Sequence, residues 1–433
     1  MKNNKDNIKN FIYHFKITLF VFYIFFFDLG LRVFEINKII FTNIDSRLIL
    51  ILILPFLIFE MLVLKPNKNY FLKLFFFPIL ITTHWIYLNF FNYFDIDIKG
   101  AFKFFLSIIY IIIFSFYLEF LKKNLLKIIE LFFLIYFLVI LANTSYNYFN
   151  SQQVCIFGCF SKTRQIFKEA SHLAYIAPLI YVYYLNIVPL KKIHNFYKFL
   201  LVFFIISTSQ NLSTTLLASV ISSLFLILLF NFNEIKNKKK FLIILLLFVL
   251  LVPFHKDTLL KINQFYDISF HYNKYQNFFY AEQNKNGSET FFSEERKILS
   301  NEVYITNTKL SIHSLKENLL GWGLHNYKYA HNFYISGINN SNLIGTAWLN
   351  STDGANNLNK GLVEFGVLFF IPIILLFVIL IDKKVDIQAK LLVFPILFSQ
   401  IFIRGSGFFN GGFIIFFIIL ISLYINKLYE KSI

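Results

Sequence analysis

Arginine is scarce in this chain: five of its 41 basic residues are Arg32, Arg47, Arg164, Arg296 and Arg404. A guanidinium presents a planar, bidentate fork that matches carboxylate and phosphate oxygens, which an ammonium does not. Arg164, Arg296 and Arg404 stand in loops or beside glycine-rich turns, and they are the candidates for holding an anionic ligand such as a lipid-linked phosphate or diphosphate. Arg32 and Arg47 sit at the ends of apolar runs, where long cationic side chains snorkel toward the surface. His325 and His331 are candidates for a lone base, because they follow a turn expected after a helix that ends at Gly321. His172, His255, His271 and His313 lie on the same expected side, and no histidine stands at HExxH or comparable ligand spacing, so no metal is expected. Cys155 and Cys159 could close a small disulfide on an oxidising face, and Asp95 and Asp97 read as solvated interfacial carboxylates.

The elements that position these residues follow from composition. Apolar residues make up 57% of the 433 and charged residues 15%, too apolar and too poorly charged for a water-soluble protein. At roughly 20 residues per crossing helix the chain has material for about twelve spans, an all-α polytopic membrane protein. We expect them near 13–35, 48–64, 74–93, 102–120, 126–143, 172–190, 198–211, 213–232, 240–254, 361–381, 389–404 and 409–426. The polar run Ser207–Thr215 divides an apolar stretch too long for one span and keeps the downstream charges in phase. Lysine clusters at 65–73, 122–127, 191–198, 236–240 and 383–390 then face inward with both termini, as the positive-inside rule requires. All five arginines fall at or beyond the outer face in this arrangement.

The chain accordingly divides into a first membrane part, 1–254, an external loop, 255–360, and a closing membrane part, 361–433. The loop carries ten basic and nine acidic residues and is long enough to fold on the membrane surface. Within it Ile298, Ile305, Ile312 and Leu319 recur every seven residues, predicting a helix that packs this stripe on the membrane domain. Thr306, Lys309, His313 and Lys316 would form its solvated face. The net charge of +17 is a matter of membrane sidedness in such a chain, and nucleic acid is not an expected partner. The sequence shows no internal repeat at fixed period and no soluble nucleotide-binding domain, which counts against two-half transporters and ATP-driven pumps.

Three stretches together resemble the O-antigen polymerase and O-antigen ligase superfamily of bacterial surface-polysaccharide assembly: GCFSKTRQIFKEASHLAYIAP (Gly158–Pro178), ENLLGWGLHNYKYAHNFYI (Glu317–Ile335) and DGANNLNKGLVEFGVLFF (Asp353–Phe370). The chain departs from the family pattern in three places. Asn356-Asn357 stands where many members have His-Asn, Thr208-Ser209-Gln210-Asn211 lacks the usual arginine, and Leu319-Leu320 replaces a proline. The resemblance implies an enzyme of the bacterial inner membrane that transfers glycan from an undecaprenyl diphosphate donor to a hydroxyl of a lipid-linked acceptor, without metal or other cofactor. It implies membrane lipids, lipid-linked oligosaccharides and a chain-length regulator as partners. Arg164, Arg296 and Arg404 would hold the diphosphate, His331, His325, Glu169 or Glu364 would take the acceptor proton, and Asn356, Asn357 and Asn359 would hold sugar hydroxyls. Polymerisation of repeat units is the expected reaction, with ligation to lipid A core as its alternative; a lipid-linked oligosaccharide flippase is the alternative from another class.

Overall fold

The computed structural model describes residues 2–26, 55, 59–60, 78–88, 98–149, 170–210, 213–235, 238–251, 291–338, 350–405, 407–409 and 411–430. Among these residues the backbone is helical and contains no strand. Arg32, Arg47, Asp95, Asp97, Cys155, Cys159, Arg164, Glu169, His255 and His271 lie outside them, as does most of the expected span 48–64.

The first helices are α1 (Lys2–Phe25), α2 (Ile98–Phe116) and α3 (Leu118–Phe149). Tyr13 of α1 stacks edgewise on Phe120 and donates to Asn124 Oδ1 at 2.6 Å. Further along α1, Tyr23 lies on Phe114 while Phe25 stacks on Phe132. One helix therefore touches residues on both sides of Tyr117, the single residue between α2 and α3, through which i→i−4 bonds continue (Tyr117 N–H to Ile113 O at 3.0 Å, Leu121 N–H to Tyr117 O at 2.9 Å). Lys16 sits over the rings of Tyr117 and Phe120 and pairs with Glu60 at 2.6 Å.

The polar run that divides the 198–232 stretch does end one helix and start another, α4 (Asn195–Gln210) and α5 (Thr214–Asn231). Ser213 caps α5 by accepting from Leu216 N–H, satisfying one of the free donors of the first turn. Its neighbours Ser207 and Thr208 bond back to Phe204 O and face the hydroxyls of Tyr136 and Tyr181. In α6 (Lys238–Leu251), Leu242, Ile243, Leu246, Leu247, Val249 and Leu250 all point outward, a face that is unfavourable in water.

The expected span 172–190 is not a regular α-helix. Residues Ala170–Tyr175 form a 3₁₀ turn and Leu179–Tyr184 a π-helix after Pro178, whose ring cannot take an amide into the ladder. A second π-helix, Ser399–Ile403, follows α11 (Ile387–Phe398), which holds Pro395 in its interior. The freed polar groups are taken up across helices: Ser399 Oγ lies 3.0 Å from Ala174 O and 2.7 Å from Ser219 Oγ, and Gln400 Nε2 donates to Gly411 O at 2.9 Å. At the other end of α11, fully buried Lys390 bonds Asn231 Oδ1 at 2.5 Å and Glu234 at 2.9 Å, tying α11 to the end of α5.

The segment expected as an external loop contributes α7 (Phe291–Glu317) and α8 (Tyr327–Ile338). With α9 (Asn357–Phe365) they enclose a small separate core of Leu310, Trp322, Tyr327, Ala330, Tyr334 and Val363. The chain then passes through the 3₁₀ turn Gly366–Phe369 into α10 (Phe370–Ile381), and α12 (Phe413–Glu430) closes the described chain. Among the described residues two helical stretches, Leu118–Leu141 and Asn357–Ile381, are long and apolar enough to cross a membrane.

The helix expected to end at Gly321 is present; of the seven-residue stripe, the Ile298 side chain lies outside the described residues, Ile305 is half-buried, and Ile312 and Leu319 are not on the buried face. Val303, Thr306, Asn307, Leu310, Ser311 and Ser314 turn inward, whereas Ile312 and Leu319 are 46% and 60% exposed. The reason is the partner surface: α9 offers backbone carbonyls and amide side chains, so hydroxyl and amide groups on α7 pack there better than isoleucines. Ser311 Oγ, for example, donates to Asn359 O at 3.1 Å. Thr306 is buried with this face, while Lys309, His313 and Lys316 are exposed as expected.

Candidate functional site

The glycines between α7 and α8 set the site. Trp322 N–H donates to Val363 O and Gly323 N–H to Glu364 O, both at 2.8 Å, and Val367 N–H returns a bond of 2.8 Å to Leu319 O. This backbone-to-backbone clamp leaves no room for a side chain at Gly321 or Gly366. At Gly321, φ is +77° and a Cβ would stand 2.6 Å from Gly366 N; a Cβ on Gly366 would stand 1.9 Å from Leu319 O.

Beneath the clamp lies an ion pair within α9. Lys360 Nζ is 3.1 Å from Glu364 Oε1, donates to Thr352 O at 2.6 Å and lies over the ring of Tyr327. Glu364 is wholly enclosed; the Tyr327 N–H reaches Oε1 at 3.4 Å and the His325 N–H faces the same carboxylate. The Tyr327 phenol is held well above its usual range by burial and by nearby Asp353 and Glu364, so it stays protonated. It donates to Asn307 Oδ1 at 2.6 Å, joining α8 to α7.

His325 adopts φ +70° at the exit of the turn, the left-handed conformation that side chains rarely take. Its half-buried ring stacks on Phe409, and Nε2 lies 2.7 Å from Ser107 Oγ on α2. His331, one turn into α8, is 2% exposed and lies beside the Tyr327 ring. His313 pairs with Glu317 at 3.2 Å on the exposed side of α7. His84 Nε2 meets Leu320 O at 2.9 Å and its ring stacks on Phe365.

The three asparagines are internal. Asn356 caps α9 by accepting from Asn359 N–H at 2.8 Å, and Asn359 donates to Gly354 O and Thr308 Oγ1. Asn357 Oδ1 accepts from Gly407 N–H at 3.0 Å, while its Nδ2 is buried without a hydrogen-bond partner among the described residues. Asn356 and Asn359 thus spend their side chains on the turn and helix start, and Asn357 binds α9 to the glycine-rich segment after the second π-helix. Arg404 opens that segment, half-buried, with Nη1 3.4 Å from Ala355 O. With its amide turned to satisfy both neighbours, Asn350 accepts from the same Nη1 and donates to Asp353 Oδ1, each at 3.2 Å. Arg296 lies on α7, but its side chain is outside the described residues, as are Arg164 and Glu169.

Of the residues singled out by sequence, the structure therefore brings His325, His331, Glu364, Arg404 and the asparagines around one junction of α2, α7, α8, α9 and the Arg404–Phe409 segment. Sequence reasoning missed Lys360, Tyr327, Asn307 and Ser107. The Lys360–Glu364 spacing of four residues on a helix was a usable signal; nothing local marks Ser107, which lies 218 residues from His325. Among the described residues no three His, Cys, Asp or Glu side chains converge as a metal site would require. Comparisons with protein-family models, curated proteins and solved structures find no match for this chain.

Proposed function

We propose that the chain is a glycosyltransferase of the bacterial inner membrane, with about twelve spans, both termini cytoplasmic and residues 255–360 outside, polymerising undecaprenyl-diphosphate-linked repeat units of a surface polysaccharide. The observation that carries this reading is the clamp of the Gly321–Gly323 turn on Val363–Gly366. It holds the half-buried His325 against Glu364, near the start of an apolar stretch long enough to cross a bilayer, at the junction whose Arg404–Phe409 side carries Arg404. The outward apolar face of α6 and the three sequence stretches listing toward O-antigen polymerases and ligases agree with it.

In this reading a hydroxyl of the acceptor gives its proton to His325 as its oxygen bonds to the anomeric carbon of the donor sugar. The bond from that carbon to the diphosphate oxygen breaks, and undecaprenyl diphosphate leaves with the electron pair. Arg404, with Arg164 and Arg296, stabilises the charge that grows on the leaving group. His325 suits the proton transfer better than His331 or Glu364, since those two are enclosed. Ser107 orients its ring, and Lys360, Glu364 and the asparagines hold the turn and the start of α9 in place.

Reconstitution in vesicles with a purified undecaprenyl-diphosphate-linked oligosaccharide tests this. New glycosidic bonds and longer lipid-linked chains support polymerisation; translocation without any new bond makes the protein a flippase. Deletion in the native cell separates the two transferases. Lipid A core capped with a single repeat unit indicates a polymerase, whereas uncapped core with polymer retained on its carrier indicates a ligase.

A further inference from the structure

Two members of the seven-residue stripe, Ile312 on α7 and Leu319 just beyond it, have no place in the site and face away from the protein. Ile312 is 46% and Leu319 60% exposed, and Leu320 beside it is 36% exposed. Through the bond from Val367 N–H to Leu319 O, this ridge runs directly into Val367 and Leu368, which are exposed at the 3₁₀ turn before α10. The apolar outer surface of α10 continues from there through Ile371, Ile374 and Val378. Lys309 and Lys316 are exposed within one turn of Ile312 on the same helix. An apolar stripe flanked by lysines is the composition of a helix lying at the boundary of acyl chains and headgroups, with the ammonium groups reaching lipid phosphates.

The geometry points to a membrane-contact surface: the Ile312–Leu319–Leu320 ridge lies in the outer lipid–water boundary, and α7 rides on the bilayer with Lys309 and Lys316 at the phosphates. The occupant is lipid because the ridge is continuous with the outward face of a stretch long enough to span. In this arrangement the bilayer surface holds the α7–α8 turn, and hence His325, at a constant height. The inference rests on the membrane placement in the preceding section, not on glycosyl transfer.

The test uses the full chain with Cys155 and Cys159 replaced by serine, in bilayer discs of phosphatidylethanolamine and phosphatidylglycerol. Single-cysteine variants Ile312→Cys, Leu320→Cys, Ile374→Cys and Lys384→Cys are labelled with a small fluorophore. Ile374 reports whether α10 is in the bilayer at all, and Lys384, exposed in the turn after α10, reports water. We expect lipids spin-labelled near the headgroup to quench positions 312 and 320, aqueous iodide to quench position 384 alone, and deeply spin-labelled lipids to quench position 374. Iodide quenching of 312 and 320 equal to that of 384 overturns the inference. So does resistance of both positions to either quencher, which would mean that protein, a second copy or another segment, covers the ridge. Failure of lipid quenching at 374 would instead remove the membrane placement itself.

Discussion

Lys360 and Glu364, one helical turn apart on α9, form an ion pair of 3.1 Å whose carboxylate has no contact with solvent. The pair sits under the turn that delivers His325, so its chemistry is tied to the geometry of the site. An enclosed charge is tolerated only while its partner and surrounding donors remain, because desolvation of a lone carboxylate is not offset by anything else.

Replacing Lys360 by Met should therefore destabilise the protein by about 3–5 kcal/mol, the usual cost of stranding one member of a buried pair. The double variant Lys360→Met/Glu364→Leu should recover most of the loss. Thermal unfolding of the purified protein in detergent reads both; a single variant as stable as the parent would mean that the pair is not closed in solution.

The two turn glycines should separate steric overlap from backbone conformation. Gly323 has φ +89° but no neighbour nearer than 3.4 Å to an added Cβ, so Gly323→Ala should cost only the left-handed backbone penalty of roughly 1–2 kcal/mol. Gly321→Ala adds a collision with the backbone of Glu364 and Gly366, and should cost more and release the α7–α8 turn. Unfolding temperature and protease cleavage between α7 and α8 measure the difference. Equal effects of the two substitutions would contradict the clamp.

His325→Gln should lower glycosyl transfer by roughly 10²–10⁴-fold, the range for loss of a general base. Ser107→Ala should lower kcat less and displace its pH profile, and Ser107→Thr, which keeps the hydroxyl, should restore it. His331→Gln should act through stability, since that ring is enclosed. Transfer rates of the reconstituted protein at several pH values distinguish these outcomes, and a Ser107→Ala profile identical to the parent would take Ser107 out of the role of orienting the base.

Arg296→Lys and Arg404→Lys keep the charge and remove the fork. If these groups hold a diphosphate in bidentate fashion, each should abolish transfer while the unfolding temperature changes little. Near-normal chain length in either variant would remove that arginine from the site.

The sequence and the structure agree most closely where a single residue's chemistry acts locally. The polar run before Thr214 breaks an apolar stretch in either setting, because hydroxyls compete for backbone groups and Ser213 caps the next helix. The stripe of α7 shows the opposite case. Its period was legible in Ile298, Ile305, Ile312 and Leu319, but which side it would face was not, because that depended on the polar surface of α9 waiting beneath Asn307 and Ser311.

By itself, then, the sequence determined that the chain is helical, that its apolar runs are separated by lysine clusters, and that a helix in the long loop ends at the glycine turn that begins at Gly321. Those properties depend on composition, period and backbone freedom, all of which are local. Only the tertiary structure decided that Ser107 meets His325, that Lys360 and Glu364 are sealed beneath the turn, and that Asn356, Asn357 and Asn359 face inward. Each of those outcomes is set by which surfaces come together across tens to hundreds of residues, and by the cost of shutting a polar group away from water without a partner, which most of these groups avoid.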